Sequence, residues 1–546
     1  MKGNGKVVSG NIVDVLNSEI YPGTLKISKG RILGILREDS EYRNYIIPGL
    51  VDSHIHIESS TLTPSEFARV AVIHGTVATV SDPHEIANVL GVEGVQYMIE
   101  DSEIVPLKFY FGAPSCVPAS SFETNGASIG PQQVEELLRL EDIKYLGEVM
   151  NFPQVLNGES VISIKIGIAK KYSKVIDGHA PGLRGKPLEK YVNAGISTDH
   201  ECFTKEEALE KIRLGIKVQI REGSAAKNLD ELIPIVDEHH ESCMFCSDDR
   251  HPDDLVKGHM NDLVKRALNY GIDMMKVLRV ACVNPVLHYK LDVGLLRVGD
   301  YADFLLLDSI DDFRVLKTYI NGEIVAEEGR SLIPNRASRI VNNFTVGKKE
   351  VADFALPYKK ADLNVIEAID GQLMTNRLVV TPKVLNGYVV SDVERDILKM
   401  AVANRYKDAP VAIGFVKNFG LKKGAIASSV AHDSHNIIAV GVADKDICRA
   451  VNLIVDKKGG ISAVSEDKEV LLALPIAGIM SNENYSDVAK KYTDIDNTAK
   501  SFGATLHAPF MTLSFMALLV IPKIKLSDKG LFDGEKLEFI SPQACQ

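Results

Sequence analysis

Two histidines separated by one residue make the segment "PGLVDSHIHIESS", residues 48–60, a candidate metal site. Side chains two residues apart in a strand point to one face, so we expect Asp52, His54 and His56 to face the same way where an apolar run ends. Neutral imidazole nitrogens are common ligands of transition-metal ions, and a strand fixes their direction. For this spacing alone, two buried, hydrogen-bonded histidines are the more frequent explanation.

Further apolar runs end in the same kinds of side chain. The additional histidines and acids at these ends are Glu148, Asp177, His179, Asp199, His200, Glu201, Asp248 and Asp249. In a parallel barrel the carboxyl ends of all strands meet at one face, which is where active sites lie. Such a face would hold two divalent cations with a water between them, since a single ion would leave ligands over. The predicted metal ligands are His54, His56, Glu148, His179, His200 and Asp248.

Two of these ligands are chosen over a close neighbour. Lys144 and Glu148 share a strand face, and a carbamylated lysine could bridge two metals as a glutamate does. Glu148 lies nearer the carboxyl end of the strand, so we predict that it reaches the site. Asp248 is preferred because it ends its apolar run, and Asp249 is therefore expected to point away.

Weaker candidates lie at other strand ends and late in the chain. Residues that could contact a substrate are Asp82, His84, Glu85, Arg221 and Glu222. The first three could instead bind an extra metal or support the ligands from behind, and the last two could simply pair with each other. The segment "HDSHN" contributes three residues that could line the site, hold a separate metal or form a polar loop cluster, namely His432, Asp433 and His435.

The elements that must position these side chains follow from hydrophobic periodicity. Eight apolar runs between residues 46 and 250 alternate with amphipathic segments such as "TPSEFARVAVIHG", "GPQQVEELLRLED", "TKEEALEKIRLG" and "NLDELIPIVDEHH". This pattern predicts an α/β fold with a closed (β/α)₈ TIM-like barrel, and an open doubly wound sheet is the alternative. Strands before and after the barrel, with Asn321-Gly322 as a hairpin turn, predict a small composite β domain.

Length and composition complete the predicted organisation. We expect residues 1–45 and 295–345 to form the two parts of the composite β domain, 46–294 the metal-dependent barrel and 346–546 a C-terminal α+β domain. A net charge of −11 without a basic stripe argues against a nucleic-acid partner. The apolar run "FMTLSFMALLVI" is too short to span a bilayer, and no secretory signal or disulfide framework is evident. A cytoplasmic location without a membrane partner is therefore expected.

The motifs at the strand ends resemble those of a known enzyme superfamily. "PGLVDSHIHIESS", "DPHEIANVLG", "GEVMN", "DGHAPG", "TDHE" and "SDDRHPDDL" resemble the amidohydrolase superfamily, and nearly the whole chain, "HDSHN" included, is similar to the bacterial and archaeal adenine deaminases. This resemblance implies two divalent ions, Mn²⁺ or Fe²⁺ with Zn²⁺ as a further candidate, and hydrolysis of adenine to hypoxanthine and ammonia in purine salvage. Many members of the superfamily use a carboxylated lysine where this chain has Glu148.

Catalytic roles follow for an aminopurine substrate. A metal-activated hydroxide would attack C6, and we expect Glu201 to protonate ring nitrogen N1 and Asp248 to transfer a proton from the hydroxide to the departing amine. One alternative is a hydrolase of cyclic amides, similar to dihydroorotases or hydantoinases. A second is a barrel that binds metal or ligand without catalysis. Additional domains on a barrel commonly support assembly, so a homo-oligomer, either a dimer or a tetramer, is expected.

Overall fold

A computed structural model describes residues 5–158 and 160–544 of the chain. The chain begins with four strands, which are β1 (Lys6–Asp14), β2 (Glu19–Ser28), β3 (Arg31–Arg37) and β4 (Tyr45–Pro48). β1 and β2 form an antiparallel hairpin, β3 extends it, and β4 pairs with β1 in parallel. β4 ends where the first barrel strand begins, which ties this sheet directly to the barrel.

Eight short strands follow, one for each predicted apolar run. They are β5 (Leu50–Ile55), β6 (Thr76–Ser81), β7 (Lys108–Ala113), β8 (Ile143–Val149), β9 (Val175–Gly178), β10 (Thr198–Asp199), β11 (Lys217–Arg221) and β12 (Cys243–Cys246). All neighbouring pairs within β5–β9 and β10–β12 are parallel. The amide of Ser197 donates a hydrogen bond to the carbonyl oxygen of Ile176, which joins β10 to β9. Just beyond β12, Asp248 forms an isolated β-bridge with Ile55 of β5. The ring of strands is therefore closed, as predicted.

Helices and single turns cover the outside of this barrel. The helices are α1 (Pro64–Ala71), α2 (His84–Leu90), α3 (Val92–Ser102), α4 (Pro131–Leu138), α5 (Phe152–Asn157), α6 (Ser160–Lys171), α7 (Gly185–Asn193), α8 (Lys205–Arg213), α9 (Leu229–Leu232), α10 (Val236–His239), α11 (Pro252–Leu255), α12 (Met260–Tyr270), α13 (Met274–Leu278) and α14 (Asn284–Tyr289). The predicted helix "NLDELIPIVDEHH" is broken into α9, a 3₁₀ turn and α10. Pro234 lies within that turn, where its missing N–H and its ring interrupt a continuous helix.

The strands after the barrel rejoin the N-terminal sheet. They are β13 (Phe304–Leu307), β14 (Val315–Ile320), β15 (Glu323–Glu327) and β16 (Arg330–Ser331). β13 pairs with β4, which produces one eight-stranded sheet from both ends of the barrel segment. Asn321 and Gly322 form the turn between β14 and β15, and both have positive φ, as a two-residue hairpin of matching twist requires.

The C-terminal region contains a second eight-stranded sheet with helices. Its elements are β17 (Leu356–Pro357), β18 (Leu363–Ala368), β19 (Thr375–Val380), β20 (Lys383–Leu385), β21 (Tyr388–Val390), β22 (Ile397–Ala403), β23 (Ala412–Lys417), β24 (Ala425–Ser428), β25 (Ile437–Gly441), α15 (Asp444–Lys457), β26 (Gly460–Val464), β27 (Glu469–Ala473), α16 (Tyr485–Ser501), α17 (Pro509–Phe515), β28 (Ile524–Ser527), β29 (Gly530–Asp533) and β30 (Glu538–Ile540). The strand order of the sheet is β19-β18-β23-β22-β25-β24-β26-β27.

The central strand β22 is buried on both faces and divides two cores. Ile397 and Ala401 pack in one cluster with α15, whereas Leu398 and Met400 belong to the larger core shared with the barrel. This alternation is the two-residue period of a strand. The predicted fold class, a barrel with a composite β domain and a C-terminal α+β domain, is confirmed. The residue numbers of the domain boundaries stay predictions.

Among the described helices, none combines the length and apolar character needed to cross a membrane. The short apolar run noted above forms α17 and the turns that follow it. Its residues are buried within the protein except for Val520, which is half-buried.

A buried histidine below the barrel gives a pH-dependent stability. Burial, with the nearby His259 and Arg250, lowers the pKa of His74 from 6.5 to about 3. As pH falls below 6.5 the unfolded chain takes up this proton and the folded chain does not, so stability is lost between pH 6.5 and 3. Between pH 7 and pH 5, we expect the free energy of unfolding of the wild type to fall by about 2 kcal/mol more than that of His74→Gln.

Urea unfolding at the two pH values measures this difference. The exposed residue His507, changed to glutamine, controls for the substitution itself. An identical pH dependence of the free energy of unfolding in wild type and His74→Gln would show that folding does not lower the pKa of His74.

Candidate metal centre

The first barrel strand delivers two imidazoles to the carboxyl end of the barrel. β5 ends at Ile55, and the Nε2 atoms of His54 and His56 lie 3.2 Å apart. Asp52, two residues earlier, lies deeper in the barrel, where it accepts hydrogen bonds from the amide of Ser247 (3.1 Å) and from Nε2 of His259 (2.9 Å). The three side chains of the predicted shared face therefore lie at two depths. His54 and His56 lie at the cavity, and Asp52 lies below them and supports them.

Glu148 occupies the middle of the cluster. Its Oε1 lies 3.2 Å from Nε2 of His56, and its Oε2 lies 2.7 Å from Nδ1 of His179 and 3.3 Å from Nε2 of His200. Burial would raise the pKa of Glu148, but the surrounding histidines outweigh it and hold the pKa well below its ordinary value. Lys144 lies at the other end of β8, half-buried and near the ring of Tyr110.

Asp248 completes the set from the eighth strand end. Its Oδ1 lies 3.2 Å from Nε2 of His56 and 3.6 Å from Nε2 of His54. Asp249 lines the cavity as well and accepts a hydrogen bond from Ser59, so the expectation that it points away is wrong. β12 already ends at Cys246 and Asp248 has a φ of 53°, so strand alternation no longer governs these residues.

All six predicted ligands meet in this cluster, and their chemistry fits divalent cations. Nδ1 of His56 donates to the carbonyl oxygen of Asp82 (3.0 Å), so Nε2 of a neutral His56 directs a lone pair at Glu148 and Asp248. Burial would lower the pKa of His56, but the two carboxylates outweigh it and raise the pKa well above its ordinary value. The cluster thus attracts positive charge. Donor separations of 3.2–3.6 Å suit bonds of about 2.1 Å to a shared ion.

Glu201 and Asp248 are held together by one guanidinium. Arg221, at the end of β11, donates through Nη1 and Nη2 to the two oxygens of Glu201 and through Nη1 to Oδ2 of Asp248 (2.7 Å). Burial alone would raise the pKa of Glu201, but Arg221 and the neighbouring histidines lower it, so the carboxyl is ionised at neutral pH. Arg221 and Glu222 do not pair with each other, which was one of the two possibilities that the sequence left open. Glu222 pairs with Lys227 and Arg266 and lies outside the cavity lining.

The acids and histidine after β6 have three different environments. Oδ2 of Asp82 accepts the amide hydrogen of Glu148 (2.8 Å), and Asp82 therefore supports that ligand. His84 lines the cavity, with Nδ1 3.6 Å from Oε1 of Glu148. Glu85 is bound by His432 and His435 of the C-terminal region. The "HDSHN" segment thus reaches the barrel, which sequence reasoning left open.

An apolar wall from the C-terminal region covers one side of the cavity, and sequence reasoning missed it. Leu373, Phe515, Leu518 and Val520 line it. Nζ of Lys525, fully buried, donates to the carbonyl oxygens of Leu373 (2.6 Å) and Phe515 (3.0 Å) and fixes the backbone of this wall. The only sequence signal was the apolar run "FMTLSFMALLVI", which carries no mark of a binding role.

Comparisons with known proteins agree with this architecture. A family model described as "Amidohydrolase family" matches residues 45–325, and a model described as "Adenine deaminase C-terminal domain" matches residues 372–538. The first covers the barrel with the adjoining strands of the composite sheet. The second includes both "HDSHN" and the apolar wall.

The chain is also similar to curated proteins named "Adenine deaminase". Identity is 54% to that of Sulfurovum sp. (strain NBC37-1), over 97% of this chain and 98% of the relative. Identity is 54% to that of Salinibacter ruber, over 98% of each chain, and 48% to that of Borreliella burgdorferi, over 98% of this chain and 99% of the relative. The resemblance noted in the sequence is confirmed, and the chain belongs to the adenine deaminase family of amidohydrolases.

Proposed function

We propose that the chain hydrolyses adenine to hypoxanthine and ammonia, as required in purine salvage. The observation that carries this proposal is the cluster of histidines and carboxylates from five strand ends, in a chain about half identical to proteins named adenine deaminase. The residues that would hold two divalent cations are His54, His56, Glu148, His179, His200 and Asp248. Mn²⁺ and Fe²⁺ are the preferred ions, and Zn²⁺ is a further candidate.

Two divalent cations at these ligands would supply a water molecule of lowered pKa as the nucleophile for C6 of the purine. The chain's own residues then have to move two protons of that water. One must reach ring nitrogen N1 and one must reach the departing amine, which together give hypoxanthine and ammonia.

Glu201 is suited to the first transfer. Because it is ionised, it has to accept a proton before it can donate one, and the attacking water is the source. Its Oε1 lies 3.5 Å from Nε2 of His200 and 3.7 Å from Nδ1 of His179, next to the proposed ligands. Arg221 fixes the orientation of the carboxylate and stabilises its charge.

Asp248 is suited to the second transfer. Its Oδ1 faces His54 and His56, and its Oδ2 is held by Arg221. Asp248 accepts the remaining proton and passes it to the amine, because ammonia is a far better leaving group than an amide ion. His84 faces the same cavity as a substrate contact, whereas Asp82 and Glu85 act through Glu148 and the C-terminal histidines. Assembly as a homo-oligomer and a cytoplasmic location stay predictions.

Turnover and metal dependence test this proposal together. Protein loaded with Mn²⁺ is expected to release ammonia from adenine and to leave adenosine, guanine and a hydantoin unchanged. Chelation should reduce the rate by at least about 10³-fold, and re-addition of Mn²⁺ should restore it. Ring opening of the hydantoin with no ammonia from adenine would instead place the chain among hydrolases of cyclic amides.

A further inference from the structure

One carboxylate of the cavity is left without a partner by the protein. Asp433 lies between β24 and β25, is 3% exposed and lines the cavity, and its Oδ2 has no hydrogen-bond partner among the described residues. The nearest ion-pair partner, Nε2 of His84, lies 3.9 Å from its Oδ1. Burial raises the pKa of Asp433 to about 6. An acceptor left unpaired in a buried site is costly, which favours a ligand that donates a hydrogen bond.

Asp433 and Glu201 lie toward different oxygens of the Glu148 carboxylate. Oε1 of Glu148 faces His84, which leads to Asp433, and Oε2 faces His179, which leads to Glu201. The imidazole of His84 lies between the two carboxylates, 3.6 Å from Oε1 of Glu148 and 3.9 Å from Oδ1 of Asp433. A purine attacked at C6 has N1 on one side of that carbon and the fused five-membered ring on the other. If Glu201 serves N1, the five-membered ring extends toward Asp433.

We propose that Asp433 accepts a hydrogen bond from the N–H of the five-membered ring and thereby selects a free purine base over a nucleoside. The free base has such an N–H at N7 or N9. A nucleoside, or any N9-alkylated purine, has none. Phe515 and Leu518, which line the same cavity as Asp433, provide apolar contact for the ring. This inference rests on the proposed function and assigns its selectivity to the C-terminal region.

A cation at the same place fits less well. His84, Glu85 and Asp433 offer donor atoms within 4.8 Å of one another. However, Oε1 of Glu85 is hydrogen-bonded to Nδ1 of His432, and its Oε2 is in close contact with Nε2 of His435. Only two free protein donors remain, fewer than the three or four that a stable divalent site uses.

Inhibition by the product and by its alkylated form tests the role of Asp433. In Mn²⁺-loaded enzyme, Asp433→Ala is expected to weaken hypoxanthine binding by about 10- to 100-fold and to leave 9-methylhypoxanthine binding unchanged. Asp433→Asn, which keeps the volume and a neutral acceptor, should weaken hypoxanthine binding by about tenfold. Asp446, a buried carboxylate on α15 that also has an unpartnered oxygen but lies outside the cavity lining, is the matched control. Asp446→Ala should bind both inhibitors as wild type does.

The inhibition constant of 9-methylhypoxanthine divided by that of hypoxanthine decides the outcome. A ratio that falls in both Asp433 variants supports the proposal. A ratio that is unchanged, or a wild-type enzyme that binds 9-methylhypoxanthine as tightly as hypoxanthine, overturns it. Loss of one bound metal ion in Asp433→Ala also overturns it, because Asp433 would then be a ligand. A wild-type enzyme that neither deaminates adenine nor binds hypoxanthine refutes the proposed function first and this inference with it.

Discussion

Asp248→Asn is expected to lower kcat/KM for adenine by about 10³-fold or more. This side chain combines two tasks, since Oδ1 faces the imidazoles of His54 and His56 while Oδ2 accepts from Arg221. Asparagine keeps the shape but removes the negative charge that attracts cations and the basic oxygen that accepts a proton. Ammonia release at saturating Mn²⁺ measures the loss, and metal analysis of the same preparation separates the two tasks.

The neighbouring acid provides the matched comparison. Asp249 also lines the cavity, but it accepts a hydrogen bond from Ser59 and faces neither His54 nor His56 within ion-pair distance. Asp249→Asn should therefore lose no more than about tenfold in kcat/KM. Equal losses in the two variants would show that the cavity needs negative charge at this strand end and that Asp248 has no special role as a base.

The meeting of the six residues could be predicted because parallel topology in a closed ring brings all strand ends to one face. Each of the eight apolar runs between residues 46 and 250 became a strand, and parallel strands in a closed ring bring their carboxyl ends together. Residues as far apart in sequence as His54 and Asp248 therefore had to meet. The choice of Glu148 over Lys144 followed from position along β8, because only the carboxyl end of that strand faces the cavity.

Side-chain directions were not predicted correctly at the strand ends, where the regular alternation of a strand ceases. Asp249 follows a residue with positive φ, so the direction of its side chain is set by a turn that no periodicity reveals. The sequence left open whether Arg221 and Glu222 pair with each other, and successive side chains in a strand point to opposite faces. Arg221 consequently bonds acids from two other strand ends, and Glu222 pairs with Lys227 and Arg266.

The apolar wall from the C-terminal region could not be obtained from the sequence. Phe515 and Leu518 are separated from the barrel strands by more than 250 residues, and apolar side chains that line a cavity have the same local pattern as those in a core. Lys525 carries no signal either, because its role depends on two backbone carbonyls brought together by the fold. Contacts of this kind are set by tertiary packing.

Glu201→Gln is expected to lower kcat for adenine by about 10²- to 10⁴-fold with an unchanged metal content. The amide is nearly the same size as the carboxylate and can still accept a hydrogen bond from Arg221, but it cannot take a proton from water and deliver it to N1. Because the loss concerns a proton transfer, kcat should fall more than the affinity for hypoxanthine changes. Steady-state kinetics, product inhibition and metal analysis of one preparation provide all three quantities.

Glu206→Gln, on the exposed face of α8, controls for the amide substitution and should retain wild-type kcat. Metal content decides between the two roles that the geometry allows for Glu201, because its Oε1 lies only 3.5 Å from Nε2 of the proposed ligand His200. If activity and one equivalent of metal are lost together, Glu201 is a ligand. If activity is lost and the metal stays, Glu201 moves the proton. Full turnover in Glu201→Gln would require N1 to be protonated by another group.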